Sequence, residues 1–416
     1  MINLLQSQVS IPRKGLQAFA IAIVASVVTL ASLGRGQEQS QDLAKYVYRV
    51  LYSFQTPPDA EFPLGRLLLD ASGDIYGTTR SGGAYGHGTV FQLGKKTDKV
   101  LYSFTGGGDG DEPVGDLIRD EAGNLYGATV AGGKFTYGVV FKLNASGGLS
   151  VLHSFSGGTD GGEPLGSLIR DSDGSFIGTT WIGGDLSCNE GLPGCGVVYK
   201  VDVNGAFTVL HRFVGAPHDG AYPNWERLVP DRAGNLYGTT GDGGSSDGGT
   251  VFKLARNGKL TILHSFKGGA NPQGGVVRDE SGNFYGVTAA GNYGNVFELL
   301  RTGKLIVLHA FNARSEAGNN PVNGVIRDRQ GNLYGTTSDG GRGYCNIGGK
   351  HYDTACGVVF KIDTTGKLTI VHAFHGGIEG AFPNGLILDA AGNLYGTAWQ
   401  AGRYNFGTVF ELRPRF

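Results

Sequence analysis

The sequence lacks the features that mark several large classes of protein. It has 35 Lys and Arg against 36 Asp and Glu, so the clustered basic excess typical of nucleic-acid-binding proteins is missing. Its 14 prolines are far too few for collagen, and its 40 % hydrophobic residues exclude a structureless linker. HExxH, P-loop and dinucleotide-binding motifs are absent. We expect a globular protein that binds no nucleic acid, metal ion or cofactor.

Long apolar runs are also scarce, and the single one lies near the amino terminus. Arg13 and Lys14 precede the run from Leu16 to Leu33, and the polar segment QEQSQD follows it. This order is typical of a secretory signal peptide, which we place at residues 1–36, with a short linker at 37–42. An uncleaved anchor is the alternative, because a run of this length just spans a bilayer. The mature chain is expected to be secreted, periplasmic or at the cell surface, without inserting into a membrane.

Glycine, in contrast, is abundant. It accounts for 74 of the 416 residues, well above the roughly 7 % of ordinary chains. Glycine adopts positive φ without steric cost, so this excess indicates many tight turns. Many turns in a globular chain predict many short strands.

One segment recurs seven times along the chain. Its commonest form is GNLYGTT, and the copies begin at Gly73, Gly123, Gly174, Gly234, Gly282, Gly331 and Gly392. Each copy follows an apolar stretch that ends in Asp, and it precedes a Gly-rich loop, a GTVFKL-like stretch and an LHSF-like stretch. Four short β-rich runs per unit are typical of a propeller blade. We name these runs A (ending in Asp), B (NLYGTT), C (GTVFKL) and D (LHSF).

The order of the runs predicts how the ring closes. A D strand at about 47–54 has no A, B or C strand before it, and a C strand at about 407–412 has no D strand after it. Pairing these two strands would leave no open sheet edge. We therefore predict an all-β protein, a seven-bladed β-propeller over residues 43–416 with four-stranded antiparallel blades. A monomer is expected.

The unit LHSF…GG.DG..P.G.LI.D..GNLYGTT..GG…GTVFKL resembles the GloVer tandem repeat of exported bacterial proteins. The resemblance covers essentially the whole mature chain. The D..GNLYGTT part is also similar to the repeat of the sensor propellers of two-component regulators. The resemblance implies fold and export, but it supplies no established reaction and no catalytic set.

The residues that recur in every unit are expected to be structural. Gly in the D-x-x-G-N turn supplies a left-handed position and Asp accepts turn N–H groups, while the Tyr of GNLYG fills the space between stacked blades. One position of strand D holds Tyr52, Tyr102, His153, His211, His264, His309 and His372. Symmetry places these histidines on separate blades, too far apart to share a metal ion. We predict a repeated hydrogen bond to a Thr of strand B or to the turn Asp.

The four cysteines fall in two B-to-C loops, each pair ending directly before GVV. An exported chain with an even, locally paired set predicts the disulfides Cys188–Cys195 and Cys345–Cys356. Zinc is the alternative, but each loop offers only two thiols and no C-x-x-C spacing.

Function is expected where the units differ. The D-to-A and B-to-C loops emerge at the same end of every blade, and strand A lines the channel. Four residues before the turn Asp, the units carry Arg66, Asp116, Ser167, Arg227, Gly275, Gly324 and Gly385. The first four make half of the ring mouth polar, and the three glycines are expected to leave the other half open.

The ligand-binding candidates are the residues of this end that break the repeat. They are Arg66, Asp116, Trp181, Trp225, Glu226, Arg227, Trp399 and Tyr404. The unpatterned rings around them are Tyr85, His87, Phe135, Tyr137, His218, Tyr222, Tyr344, His351, Tyr352, His375 and Phe406. Aromatic faces beside charged and hydroxyl groups suit a sugar.

Two hypotheses follow. In the first, the protein is a non-enzymatic propeller that binds a glycan or an extracellular protein through its loop face. In the second, it is a carbohydrate-active enzyme, a polysaccharide lyase. Arg66 and Arg227 would neutralise a uronate carboxylate, and His87, His218, Tyr85 or His375 would remove the α-proton.

Overall fold

The computed structural model describes residues 45–94, 98–188, 192–223, 227–289, 293–312 and 316–415. The signal peptide and linker predicted at 1–42 lie outside these residues. The strands of the described residues are arranged in seven sheets with A–B–C–D order and in smaller two-stranded pairs. No helix within the described ranges is long and apolar enough to cross a membrane.

The strands of each type follow one another around the ring, blade 1 to blade 7. The A strands are Leu68–Leu69, Ile118–Arg119, Ile169–Arg170, Val229–Pro230, Pro272–Arg278, Asn319–Arg327 and Ile387–Leu388. The B strands are Ile75–Thr79, Leu125–Ala131, Phe176–Thr180, Leu236–Thr240, Phe284–Thr288, Leu333–Asp339 and Leu394–Gln400.

The outer strands complete each sheet. The C strands are Thr89–Leu93, Val139–Leu143, Val197–Val201, Asp247–Leu254, Asn295–Leu299, Val358–Ile362 and Thr408–Pro414. The D strands are Asp98–Ser103, Leu149–Ser154, Phe207–Arg212, Leu260–Lys267, Leu305–Ala310, Leu368–Ala373 and, in blade 7, Tyr46–Ser53.

Short extra strands extend the sheets at the loop end. In blades 2 and 7, Asp111–Pro113 and Ala381–Pro383 pair with strand B. Ala60–Glu61 pairs with Ser81–Gly82 in blade 1 and Gly220–Ala221 with Asp242–Gly243 in blade 4, while Cys345–Ile347 and Lys350–Tyr352 form a hairpin in blade 6.

The ring closes as the sequence predicts. Strand Tyr46–Ser53 pairs antiparallel with Thr408–Pro414, with Tyr46 opposite Pro414 and Ser53 opposite Thr408. The first described strand is therefore the D strand of the last blade. The all-β, seven-bladed, four-stranded fold is confirmed.

The repeated D-x-x-G-N turn works as predicted. In blade 2, Asp120 Oδ1 accepts the backbone N–H of Asn124 at 2.8 Å. Asp120 Oδ2 accepts bonds from the Asn124 amide at 2.8 Å and the Tyr126 hydroxyl at 3.0 Å, and Gly123 has φ 85°. The Tyr126 ring packs on Phe176 of the next blade with centroids 4.3 Å apart, which confirms that these tyrosines fill the space between blades.

A glycine-proline contact, which we call the clasp, joins each blade to the next. In each blade, a glycine just before or near the start of strand C lies against a proline that precedes strand A of the next blade or lies near its start. At Gly407, for example, an added Cβ would be 2.7 Å from Pro63 Cδ. The pairs are Gly88–Pro113, Gly138–Pro164, Gly196–Pro223, Gly249–Pro272, Gly294–Pro321, Gly357–Pro383 and Gly407–Pro63. The last pair spans the ring closure, so all seven junctions share one contact.

The residue before each clasp proline has positive φ, although none is glycine. These seven residues, the mouth ring, are Phe62, Glu112, Glu163, Tyr222, Asn271, Asn320 and Phe382, with φ between 44° and 58°. Each donates its N–H to the carbonyl just before the clasp glycine of the preceding blade, from Phe382 to Cys356 at 2.9 Å and from Phe62 to Phe406 at 3.0 Å. Main-chain bonds therefore hold the mouth ring whatever its side chains are.

Both predicted disulfides are present, and the zinc alternative for these cysteines is wrong. The Cα atoms are 5.7 Å apart in Cys188–Cys195 and 5.1 Å apart in Cys345–Cys356. Cys195 and Cys356 supply mouth-ring carbonyls, accepting the N–H groups of Tyr222 and Phe382. Each disulfide thus fixes a junction between blades. Disulfides are typical of proteins outside the cytoplasm.

The strand D position forms a hydrogen bond at Tyr52, Tyr102, His153 and His211, but the expected partner is wrong. At His309 and His372, Nε2 is buried without a hydrogen-bond partner among the described residues. His153 Nε2 lies 3.1 Å from Asp160 Oδ2 and His211 Nε2 lies 3.0 Å from Asp219 Oδ2, while the Tyr52 hydroxyl donates to Asp59 at 2.9 Å. These carboxylates belong to the D-to-A loop. The loop folds back over the end of strand D, whereas the turn Asp sits at the opposite end of the blade.

Candidate functional site

A cavity of about 750 Å³ opens at the mouth of the channel, on the face of the D-to-A and B-to-C loops. Residues from blades 1, 2, 5, 6 and 7 line it, and both loop types contribute. They are Phe62, Leu64, Arg80, Ser81, Gly86, His87, Asp111, Glu112, Gln273, Val322, Asn323, Asn384 and Trp399. We call it the mouth cavity; its lining confirms that the two sets of loops emerge at the same end.

An aromatic wall stands where blade 7 meets blade 1. Trp399, directly after the Thr397-Ala398 end of the strand B repeat, has its ring centroid 6.2 Å from that of Phe62. Its other neighbour is Phe382, at 5.5 Å and an interplanar angle of 31°. Phe62 and Phe382 are both mouth-ring residues. Their fixed main chain therefore holds the tryptophan between two rings.

A charged wall faces it from blades 1 and 2. Arg80 Nη2 lies 2.9 Å from Glu112 Oε2, and His87 Nδ1 lies 3.0 Å from Asp111 Oδ1. Arg80 occupies in blade 1 the position that Trp399 occupies in blade 7. The carboxylates of this wall outnumber its guanidinium group, so the cavity has no net positive charge to attract a polyanion.

The second glutamate of the mouth ring, Glu163, lies outside the lining of the mouth cavity. The pKa of Glu163 is raised above its ordinary value by burial, and the neighbouring charge of Glu112 raises it further. The pKa of Glu61, close to the aromatic wall, is also raised by burial.

Two amide side chains form the floor of the mouth cavity. Asn323 donates from Nδ2 to Asn384 Oδ1 at 2.9 Å. Asn384 is buried and its backbone N–H donates to the Thr397 carbonyl at 2.7 Å. Amides that bond each other in this way retain further donor and acceptor capacity for a ligand.

Below the floor, the Arg66 side chain crosses the channel. Its Nη2 donates to the carbonyl oxygen of Asn323, and its side chain lies directly against Gly385, where a Cβ would clash. Gly324 is similarly close to the Gly274 carbonyl. The expectation that the glycines leave half of the ring open is wrong at this depth, because Arg66 and the backbone of blade 5 occupy the space that they provide.

The remaining channel residues gather around Arg66. Its N–H donates to Asp116 Oδ1 at 2.9 Å, and Asp116 in turn donates its N–H to Ser167 Oγ at 3.3 Å. Burial lowers the pKa of Arg66, Asp116 raises it and the charge of Arg227 lowers it. Arg66, Asp116, Ser167 and Arg227 line one small cavity of about 10 Å³, room for about one water molecule.

The residues predicted for lyase chemistry lie in different places. Arg66 and Arg227 share the channel cavity, whereas His87 lines the mouth cavity above it. His218 is exposed on the D-to-A loop of blade 4 and lines neither cavity. The structure therefore brings the two arginines together without either histidine.

The other predicted ligand residues are dispersed over the loop face. Trp181 packs edge-on against Tyr222, with centroids 6.1 Å apart, and Tyr404 is exposed at the tip of a blade 7 loop. Trp225 and Glu226 lie outside the described residues. Of the predicted binding set, the mouth cavity directly uses Trp399.

Sequence reasoning missed Phe62, Arg80, Glu112 and the amide pair. The signal for Phe62 and Glu112 is the proline that follows each of them at a fixed place in the repeat, Pro63 and Pro113. No comparable sequence signal marks the amide pair.

The fold is similar to that of several solved structures, whose described functions differ. Across 88 % of this chain and 41 % of the other, the protein is similar to the extracellular domain of a proposed hybrid two-component system from B. thetaiotaomicron, with 13 % identity and a TM-score of 0.52. The protein is also similar to a gluconolactonase from Xanthomonas campestris, with 14 % identity and a TM-score of 0.41. This alignment covers 88 % of this chain and 89 % of the gluconolactonase. At these identities the likeness shows the fold alone. A search of curated protein sequences finds no match.

The repeat itself decides the family. The sequence model of the Gloeobacter/Verrucomicrobia repeat matches residues 34–192 and again residues 186–347. These two matches cover well over half of the chain and include the blades that carry the charged wall and the first disulfide. The protein belongs to the Gloeobacter/Verrucomicrobia repeat family.

Proposed function

We propose that this protein is an exported, non-enzymatic propeller that binds a neutral glycan in the mouth cavity. The observation that carries the proposal is the pairing of two unlike walls: Trp399 beside Phe62 on one side, and Arg80–Glu112 with His87–Asp111 on the other. Aromatic faces pack on the C–H faces of a sugar ring. Charged and amide groups then bond its hydroxyls.

The charge of the cavity favours a neutral ligand over a polyuronate. Arg80 is already engaged by Glu112, and Asp111 adds a second carboxylate to the lining, so added negative charge would be unfavourable. Binding without turnover is supported by the separation of His87 from Arg66 and Arg227, which line different cavities.

Export is part of the proposal. The basic and apolar amino-terminal pattern supports a secreted, periplasmic or cell-surface location, and the two disulfides accord with it. Localisation by cell fractionation, with the mature amino terminus sequenced, tests this part.

The binding experiment compares two tryptophans at the same position of different blades. The purified chain is screened on an array of neutral and acidic oligosaccharides, and the best neutral ligand is titrated by calorimetry. Trp399→Ala should weaken binding about tenfold or more, since about 1.4 kcal/mol of stacking is a factor of ten. Trp181→Ala, outside the mouth cavity, should leave it within about twofold.

Two outcomes would overturn the proposal. One is binding restricted to acidic glycans. The other is the absorbance of an unsaturated product on incubation with polygalacturonate or alginate, which would establish the lyase instead.

A further inference from the structure

We propose that an extended glycan chain leaves the mouth cavity and lies across the loop tips of blades 7, 1 and 2. This inference rests on the proposed function and adds that the ligand is a polymer. It starts from three exposed aromatic residues, Tyr404, Tyr85 and Phe135, which are 40 %, 62 % and 45 % exposed. Large apolar rings held in solvent at equivalent places need an explanation.

The three rings sit at the same place in three loops of equal length. Loops 401–407, 82–88 and 132–138 join strands B and C of consecutive blades, and each ring is the fourth residue of its loop. The last residue of each loop donates its N–H to the carbonyl of the first, at 2.9, 3.2 and 3.0 Å respectively. We call these loops the tip loops.

Their backbones also turn in the same way after the ring. The fifth residue has positive φ in every case, 69° at Asn405, 86° at Gly86 and 70° at Thr136. The rings are therefore presented by preorganised loops, so that little conformational entropy is lost when a ligand stacks on them.

The tip loops are continuous with the mouth cavity. Gly86 and His87 of loop 82–88 line that cavity directly. Trp399 lies two residues before loop 401–407 and forms the aromatic wall. A chain seated in the cavity therefore has its exit beside Tyr85, with Tyr404 and Phe135 on the neighbouring blades.

A glycan chain fits this arrangement better than a protein surface does. A protein interface has a contiguous apolar centre, whereas these rings stand one blade apart. Lys134 Nζ lies 5.0 Å from the centroid of Phe135 and Arg403 Cζ lies 5.6 Å from that of Tyr404. Each of these rings is thus paired with a donor, which suits a polymer that alternates C–H faces with hydroxyl groups.

Blade 4 supplies an internal control. Its loop 243–249 has the same length, and Asp247 at the fifth place has φ 50°. The fourth residue is the exposed Ser246 instead of an aromatic. Blade 4 therefore shares the loop length and the positive φ at the fifth place, but it has no aromatic residue at the fourth place.

The test measures how affinity depends on ligand length. Cellohexaose, xylohexaose and chitohexaose are titrated against the full chain beside their disaccharides. The triple variant Tyr85→Ala, Phe135→Ala, Tyr404→Ala should lose about tenfold or more in affinity for the hexasaccharide that binds best, with disaccharide affinity unchanged. Trp399→Ala should weaken both ligands, and Ser246→Ala should weaken neither.

The outcomes separate this inference from the proposed function. The polymer inference is overturned, and the mouth cavity proposal stands, if the hexasaccharide binds the triple variant as tightly as it binds the native chain. The same holds if the native chain binds the hexasaccharide no more tightly than the disaccharide. If the native chain binds neither these ligands nor any neutral oligosaccharide of the array, both are overturned. If sedimentation shows that the native chain is a dimer and the triple variant a monomer, the three rings mediate self-association and the inference is overturned. Circular dichroism verifies that each variant is folded.

Discussion

At the scale of the residue, the mouth ring uses its backbone to hold the loops together and leaves its side chains to contact a ligand. A left-handed backbone at Phe62, Glu112 or Tyr222 costs about 1–3 kcal/mol each for a residue other than glycine. The inter-blade hydrogen bond from each of these N–H groups offsets part of that cost. The side chain plays no part in the bond. It is therefore free to differ from blade to blade.

The same separation explains which site residues the sequence reveals. Trp399 stands out because tryptophan is rare in this chain, with three copies. Phe62 and Phe382 do not stand out in the sequence. The equivalent positions hold several residue types, and a positive φ would be expected only where the residue is glycine. Arg66 was identified as a channel residue, but its path to Asn323 depends on a strand far away in the sequence, which no local pattern encodes.

Partly buried histidines make stability depend on pH. Burial lowers the pKa of His153, His264 and His309 below the ordinary value of 6.5. The unfolded chain therefore binds protons at a higher pH than the folded chain does, and these groups reduce stability as the pH falls through about 6.5. We expect the urea concentration at the unfolding midpoint to decrease as the pH is lowered from 7.5 to 6.

A single variant isolates this effect. His309→Gln removes one such group, so the variant should lose less stability than the native chain over the same pH interval, whatever its stability at pH 7.5. Equal losses in the two proteins would contradict the role of His309. Denaturant titrations at four pH values provide the comparison.

At the scale of the element, the clasp turns separate blades into a ring. The sequence shows the glycine before strand C and the proline before strand A as two independent repeats. It does not show that the glycine of one blade touches the proline of the next, because that contact depends on how sheets stack. The four-strand unit was predictable from local patterns, whereas the junction between units was not.

Substituting a clasp glycine should destabilise the protein strongly. A Cβ at Gly407 would lie 2.7 Å from Pro63 Cδ and from the Ala398 carbonyl oxygen, and the backbone there has φ 95°. We expect Gly407→Ala to lower the free energy of unfolding by about 3 kcal/mol or more, measured by urea denaturation, since strain adds to a main-chain clash.

Gly366→Ala is the matched control. Gly366 also has positive φ, 83°, but an added Cβ there would meet no atom within 4 Å. This variant should lose only the backbone term of about 1–2 kcal/mol. Equal losses in the two variants would show that the clasp contributes nothing beyond backbone strain.

At the scale of the whole molecule, closure was the most predictable feature. Seven copies of one unit, offset so that a D strand comes first and a C strand last, leave one way to pair every strand. The structure pairs Tyr46–Ser53 with Thr408–Pro414 accordingly. Global topology was readable because it follows from the order of repeats and needs no side-chain detail.

Removing the closing strand should expose an edge. A chain that starts at Gln55 lacks the partner of Thr408–Pro414, whose C strand would then present unpaired backbone groups. We expect this truncation to aggregate or to unfold at a clearly lower temperature than a chain that starts at Lys45. Light scattering during thermal unfolding measures both properties, and identical behaviour of the two chains would contradict the closure.

The main-chain bonds of the mouth ring have a consequence for how such proteins diversify. Since the bonds at Phe62, Glu112 and Asn320 use only N–H and C=O groups, point substitutions there change the chemistry of the cavity while the junction between blades persists. Ligand preference can therefore change during evolution while the scaffold stays the same. A combinatorial library at the seven mouth-ring positions could change it in the same way. Members that share this repeat need not share a ligand.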